Sequence, residues 1–209
     1  MDAVITAMSV IITLVLAVLL IHVYNDYDVM YYGIREFFGE LEGLPTSAKN
    51  IMIAGSVISH YIDGADFTFI DFGCGTAGVL IGLSDKFRQL IGVELNPKLA
   101  DVAIDRARFC NNISIINQNM VDYEFRDTPT VLYMFEPLWQ VPIDDALMVY
   151  DAVMKNFSKI RCEKYVLYIT GLMRADVSDM LGGSKSFELV ERKRLGLYPY
   201  RELYLYKGV

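Results

Sequence analysis

The sequence predicts an α/β fold: a mostly parallel sheet with helices on both faces, an antiparallel hairpin at the carboxyl end, and one transmembrane helix ahead of them. Three observations carry this reading. From Phe67 onward, short apolar runs alternate with stretches of helical periodicity, the pattern of a parallel sheet whose strands are joined by crossover helices. A glycine-rich turn, Gly73 to Gly78, falls between the first strand and the helix after it. The chain also opens on an apolar run with no Asp, Glu, Lys or Arg from Ala3 to Asn25.

Val4 to Val23 are almost all Val, Ile, Leu, Ala and Met, and about twenty helical residues rise roughly 30 Å, the thickness of a bilayer's hydrocarbon core. Thr6, Ser9 and Thr13 suit such a helix because a hydroxyl bonds back to its own backbone. A secretory signal peptide would need a basic leading region and a small-x-small cleavage site, and neither precedes Asn25-Asp26-Tyr27-Asp28. Residues 1–25 are therefore expected to form a retained membrane anchor, and residues 26–45 a juxtamembrane segment. Tyr24, Tyr27, Tyr31 and Tyr32 fall where amphipathic rings favour the headgroup layer; the alternative is a helix packed on the domain. The first basic residue is Arg35, so positive charge does not orient the span.

Leu44-Pro45-Thr46-Ser47 breaks the chain and starts a helix over about Ala48 to Ile62. Strands are expected at Thr68–Asp71, Leu90–Glu94, Ile113–Asn117, Thr130–Phe135 and Tyr165–Thr170. Helices are expected at Thr76–Ser84, Lys98–Phe109, near Asp144–Phe157 and near Arg174–Leu181. Phe187–Arg194 and Leu203–Tyr206 would pair as the closing hairpin, so the domain spans residues 46–209.

A chain of 209 residues leaves room for one ordinary domain after the anchor, and 54% hydrophobic residues exclude a disordered chain. The span itself accounts for a mean hydropathy of +0.31. Net charge is −7, and the short basic cluster Arg192-Lys193-Arg194 follows Glu191 directly. Nothing here forms a stripe that tracks phosphates, so nucleic acid is not the expected partner. Cys74, Cys110 and Cys162 are odd in number and far apart, which suits reduced thiols in a cytosol-like compartment. With His22 in the anchor and His60 in a helix as the two histidines, metal catalysis has little support.

Asp71-Phe72-Gly73-Cys74-Gly75-Thr76-Ala77-Gly78 is a G-x-G-x-x-G turn, where glycines permit both a tight bend and a close ligand approach. Cys74 sits inside it as a small residue rather than a nucleophile. The next strand ends in Glu94, about twenty residues on, where a carboxylate accepts the hydroxyls of an adenosine ribose. Asp71 discriminates among adenosine ligands, because a buried carboxylate repels the pyrophosphate of a dinucleotide. S-adenosylmethionine carries an ammonium and a sulfonium instead of phosphate, and an acid at the mouth of the first strand favours it. The alternative is that Asp71 caps the turn.

Asp71-Phe-Gly-Cys-Gly-Thr-Ala-Gly78 followed by Gly92-Val-Glu-Leu-Asn-Pro97 resembles a class I S-adenosylmethionine-dependent methyltransferase, a Rossmann-like fold. The resemblance covers essentially all of the chain after the anchor. It is nearer still to the membrane-anchored protein-lysine methyltransferases of mitochondria and their short prokaryotic relatives, through the apolar amino terminus, the helix start at Pro45-Thr46 and Glu94-Leu95-Asn96-Pro97. It implies that Asp71, Gly73, Gly75, Thr76, Gly78, Glu94 and Leu95 bind the cofactor. The family's adenine contact, commonly Asp, falls on Asn119, which keeps a carbonyl acceptor and loses the charge. Met120 would then wall the adenine ring.

Strand four ends in Phe135-Glu136-Pro137-Leu138-Trp139, where amine methyltransferases often carry Asn or Asp, then Pro-Pro and an aromatic. This chain departs from that pattern with Glu first and Leu third, which bears on the acceptor more than on the reaction. Lysine, with a solution pKa near 10.4, must lose its proton before attack. Glu136, with Pro137 behind it, would accept an amine hydrogen bond and aim the lone pair, while Phe135 and Trp139 enclose the alkyl stem. The family's helix start adds Thr46 to the substrate pocket. The expected activity is methylation of an amine, most concretely a lysine of a membrane-associated protein, with the catalytic domain on the reducing side of its membrane. The alternatives are a small-molecule or lipid methyltransferase, a non-catalytic interaction protein with this fold, and a nicotinamide dehydrogenase.

Overall fold

Strands β1 (Thr68–Phe72), β2 (Gln89–Glu94), β3 (Ile113–Asn117), β4 (Thr130–Phe135), β5 (Lys164–Thr170), β6 (Phe187–Arg194) and β7 (Glu202–Gly208) form one sheet. In the computed structural model its order is β3-β2-β1-β4-β5-β7-β6. The pairs β1–β2, β1–β4, β2–β3 and β4–β5 are parallel, and β7 runs antiparallel to both β5 and β6. The helices are α1 (Ala48–Tyr61), α2 (Gly78–Gly82), α3 (Pro97–Ala107), α4 (Ile143–Phe157) and α5 (Ala175–Gly182).

The structure describes residues 46, 48–138, 141–170, 175–195 and 202–209. The chain divides into two compact units, residues 1–49 and 50–209. The described part of the first is Thr46 and the opening residues of α1. The expected anchor, the juxtamembrane segment and its tyrosines lie outside the described residues. Among the described residues no helix is long and apolar enough to cross a membrane.

In the second unit, side chains alternate across the strands and build two cores. Phe69, Val131, Tyr133, Leu167 and Leu203 pack with α1, α2 and α3 on one face. Ile70, Leu132, Met134, Tyr168 and Tyr204 pack with α4 and α5 on the other. Every residue of β5 is buried, which fits its apolar run Tyr165–Ile169, since a strand inside a sheet with helices on both faces is covered on both sides.

Two expected helices end early, at Tyr61 instead of Ile62 and at Ala107 instead of Phe109, and a third is cut at both ends. α2 covers Gly78–Gly82 instead of Thr76–Ser84, because Ala77 takes a left-handed conformation (φ 64, ψ 21) and keeps Thr76 in the turn. The β3-to-β4 crossover carries only a 3₁₀ turn, Met120–Asp122, and a strap down to Pro129. Aromatic packing stands in for a helix there: Tyr123 and Phe125 meet Phe72 at ring separations of 5.6 and 5.8 Å.

Asp127 pins the lower end of this strap. Its Oδ1 accepts from the backbone N–H of Arg161 and Cys162 at 2.8 and 3.2 Å, and its Oδ2 accepts from Arg161 Nε at 2.8 Å. The Arg161 backbone bond, then its guanidinium, hold the Asp127 carboxyl down at about 2. A depressed carboxyl stabilises the fold above its unfolded value, and that stability is lost as pH falls through the folded pKa. Asp127→Asn is therefore expected to melt below the wild type near neutral pH, with the gap closing between about pH 4 and pH 2. Thermal melts followed by circular dichroism check this.

Candidate cofactor and acceptor site

The sheet order sets the site. From β1 the chain moves outward to β2 and β3, then returns to β4 on the other flank of β1. The loops leaving β1 and β4 therefore meet at the carboxyl edge where the strand order reverses, the place where open α/β sheets hold their ligands. The glycine turn leaves β1 there, and Glu136-Pro137-Leu138 leaves β4.

The turn depends on backbone that L side chains rarely adopt, with φ of 74° at Gly73 and 53° at Gly75. The Gly73 N–H donates to Val93 O at 2.8 Å, which ties the turn to β2. A Cβ on Gly73 would stand 2.6 Å from Cβ of Pro137, so the two loops are in contact. At Gly75 and Gly78 an added Cβ would meet nothing within 4 Å. The space before the turn is open, and the chain itself imposes no steric demand for glycine at Gly78.

Cys74 is buried beneath the turn, and Gly92 of β2 makes room for it, since a Cβ there would lie 2.6 Å from Cys74 Sγ. Burial, then the charges of Asp71 and Glu94, push its thiol far up. Cys74 is thus a protonated packing group, as its place in the turn suggested.

Glu94 is buried at the end of β2. Its Oε2 accepts from the Gly75 N–H and its Oε1 from the Asn96 N–H, both at 2.9 Å. Each oxygen retains a second lone pair for a ligand hydroxyl. Asn96 in turn caps α3 by accepting from the Lys98 N–H at 3.0 Å. Asp71 is 2% exposed, between Gly92 and Tyr133 in the sheet register. Burial first, and the Glu94 charge second, hold its carboxyl well above the usual carboxylate range. An added cation would favour the ionised form against both.

Thr76 Oγ1 accepts a hydrogen bond from Arg106 of α3. Leu95, although apolar, is 65% exposed at the β2 end. Asn119 caps the 3₁₀ turn, its Oδ1 accepting from the Val121 N–H at 3.2 Å. That leaves the adenine role expected of it to a second lone pair and two amide donors. Met120 is half-buried against the α4-side core. Phe135 is half-buried against the opposite core, so the loop after β4 begins at the boundary between them. Glu136 is half-buried with φ 42°. Thr46 falls in the first unit, two residues ahead of α1, and Trp139 lies outside the described residues. Arg106 and Asn117 were not foreseen, for their bonds span 30 and 22–23 residues with no local pattern to betray them.

No family model matches the sequence, and no curated protein matches it. Solved structures do match. The magnesium protoporphyrin IX methyltransferase ChlM from Synechocystis, with bound S-adenosylhomocysteine, superposes at a TM-score of 0.63 and 12% identity, over 90% of this chain and 99% of that one. The N-methyltransferase NodS from Bradyrhizobium japonicum superposes at 0.61 and 13% identity, over 77% and 93%. The chain has the class I methyltransferase fold. The 23S rRNA methyltransferase ErmE shares that fold at a TM-score of 0.53 and 14% identity, over 75% and 67%. The acceptors named for two of these proteins, magnesium protoporphyrin IX and 23S rRNA, differ in kind, so the methyltransferase fold does not by itself select one.

Proposed function

We propose that this chain is an S-adenosylmethionine-dependent methyltransferase acting on an amine, a lysine side chain of a membrane-associated protein, and that residues 1–25 anchor it to that membrane. The observation that carries the cofactor is the pair of buried carboxylates, Asp71 and Glu94, beside an open glycine turn. Two acids there reject a pyrophosphate and favour a cation with ribose hydroxyls. Binding nicotinamide cofactors is correspondingly disfavoured.

The residues present fit the cofactor. Glu94 has lone pairs left for two hydroxyls, Gly75 and Gly78 border open space in the turn that Gly73 and Thr76 complete, and Asp71 supplies the negative charge. Leu95, Asn119 and Met120 would bound the adenine. When bound, S-adenosylmethionine supplies an electrophilic methyl on a sulfonium, and an amine takes it as the sulfur leaves as a neutral thioether. Glu136 accepts an N–H of the incoming amine and aims its lone pair; the amine proton passes to water before attack. Pro137 fixes Glu136 against the glycine turn, so acceptor and cofactor loops are registered to one another. Phe135, at the end of β4 beside Glu136, borders the alkyl stem. Most of the acceleration then comes from orientation and from excluding water.

The anchor would hold the site close to substrates at the bilayer and raise their effective concentration. The three free thiols support a catalytic domain on the reducing side. The net charge of −7 argues against a nucleic acid acceptor.

The test is transfer of labelled methyl from S-adenosylmethionine by the full-length protein into fractionated membrane proteins, lipids and soluble metabolites. Label recovered as methyl-lysine is the expected result. Label in lipid or a small amine moves the acceptor, and cofactor binding with no transfer to any fraction makes the chain a non-catalytic protein of this fold.

A further inference from the structure

Two asparagines bracket β3 and use the same chemistry at opposite ends. Below the strand, Asn112 Nδ2 donates to Ser84 O at 2.8 Å and Phe87 O at 2.9 Å, which ties down the loop between α2 and β2. Above it, Asn117 Nδ2 donates to Glu94 O at 2.8 Å and Leu95 O at 3.0 Å, which ties down the loop between β2 and α3. The two hydrogens of one amide thus serve two successive carbonyls. Glu94 O also accepts the backbone N–H of Gln118 at 3.0 Å, so β3 grips this carbonyl twice.

We propose that Asn117 is a positioning residue of the cofactor site, acting through Glu94 and Leu95; the inference rests on the cofactor reading above. Glu94 reaches Gly75 with Oε2 and its own loop at Asn96 with Oε1, so its carboxylate is aimed only while that loop stays in place. The exposed Leu95 side chain hangs from the second carbonyl that Asn117 holds. Aspartate at this position would set a carboxylate oxygen against both carbonyls and push the loop from β3. Asn112 is the internal control, because it makes equivalent bonds at the strand end remote from the glycine turn.

The experiment compares Asn117→Asp with Asn112→Asp in the full-length protein, reading thermal stability, S-adenosylmethionine affinity by calorimetry, and kcat against KM for the cofactor. Both variants are expected to melt lower. Asn117→Asp alone should raise Kd and KM about tenfold, with kcat within about twofold, which corresponds to roughly 1.4 kcal/mol. Asn117→Ala, without the repulsion, should raise Kd about threefold and serves if the aspartate variant does not fold. Unchanged affinity in the Asn117 variants, or an equal loss in Asn112→Asp, overturns the positioning role alone. Wild-type protein that binds no S-adenosylmethionine overturns the functional reading and this role with it.

Discussion

Asp71→Asn is expected to bind S-adenosylmethionine at least tenfold more weakly than the wild type at neutral pH and yet to melt at a higher temperature. Both signs follow from one carboxyl. Burial and the neighbouring Glu94 charge raise its pKa in the folded protein. A group whose folded pKa lies above its unfolded value contributes stability that is present below the unfolded value and is lost as pH rises toward the folded one. Above the unfolded value Asp71 therefore costs the empty protein stability, and asparagine removes that cost. The charge is what a sulfonium or ammonium would neutralise, so the cost is released on binding and the variant loses the attraction. The wild type should also release protons on binding, because the ligand favours ionised Asp71. Calorimetry in two buffers of different ionisation heat reads those protons, and melts at about pH 4 and pH 8 read the stability crossover. A variant that binds as tightly as wild type would remove Asp71 from the site.

Glu136→Ala is expected to lower turnover about a hundredfold, the scale on which misplacing a reacting group is felt, while cofactor affinity changes less than about twofold. Glu136 occupies left-handed backbone at φ 42°, which costs a residue other than glycine roughly 1 kcal/mol. Such strain persists where the surrounding structure overrides it, and here the following Pro137 is wedged against Gly73. Glu136→Gly should then be more stable than wild type by about that amount and just as inactive. Chemical denaturation beside single-turnover methyl transfer separates the two effects. Collapse of cofactor affinity with turnover intact would assign Glu136 to the cofactor instead.

Strand limits were largely legible because short apolar runs between turn residues leave little freedom. β3, β4 and β6 begin and end where the sequence placed them. The helix after the glycine turn was overdrawn, since its apolar residues extend past Gly82 while Ala77 diverts the backbone at its start. In the site, the two acids announced themselves through their distance from the glycines. What no local pattern carried was how Glu94 is held: each of its oxygens already takes a backbone N–H, and Asn117 steadies the loop beneath. The Asn96 bond is local, but those to Gly75 and Asn117 join residues 19 and 23 apart, where only the folded chain can pair a donor with an acceptor. The touch of Pro137 on Gly73 is of the same kind.

That last contact constrains how acceptor choice can be altered in the laboratory. A 2.6 Å approach between an added Cβ and a proline ring means that mutagenesis at either position disturbs both halves of the crevice at once. Libraries randomised at Gly73 or Pro137 would be filled with variants that lose cofactor before any new acceptor is sampled. Diversity introduced at Leu138 leaves that contact in place, so a changed acceptor preference is better sought there than at the two positions that touch.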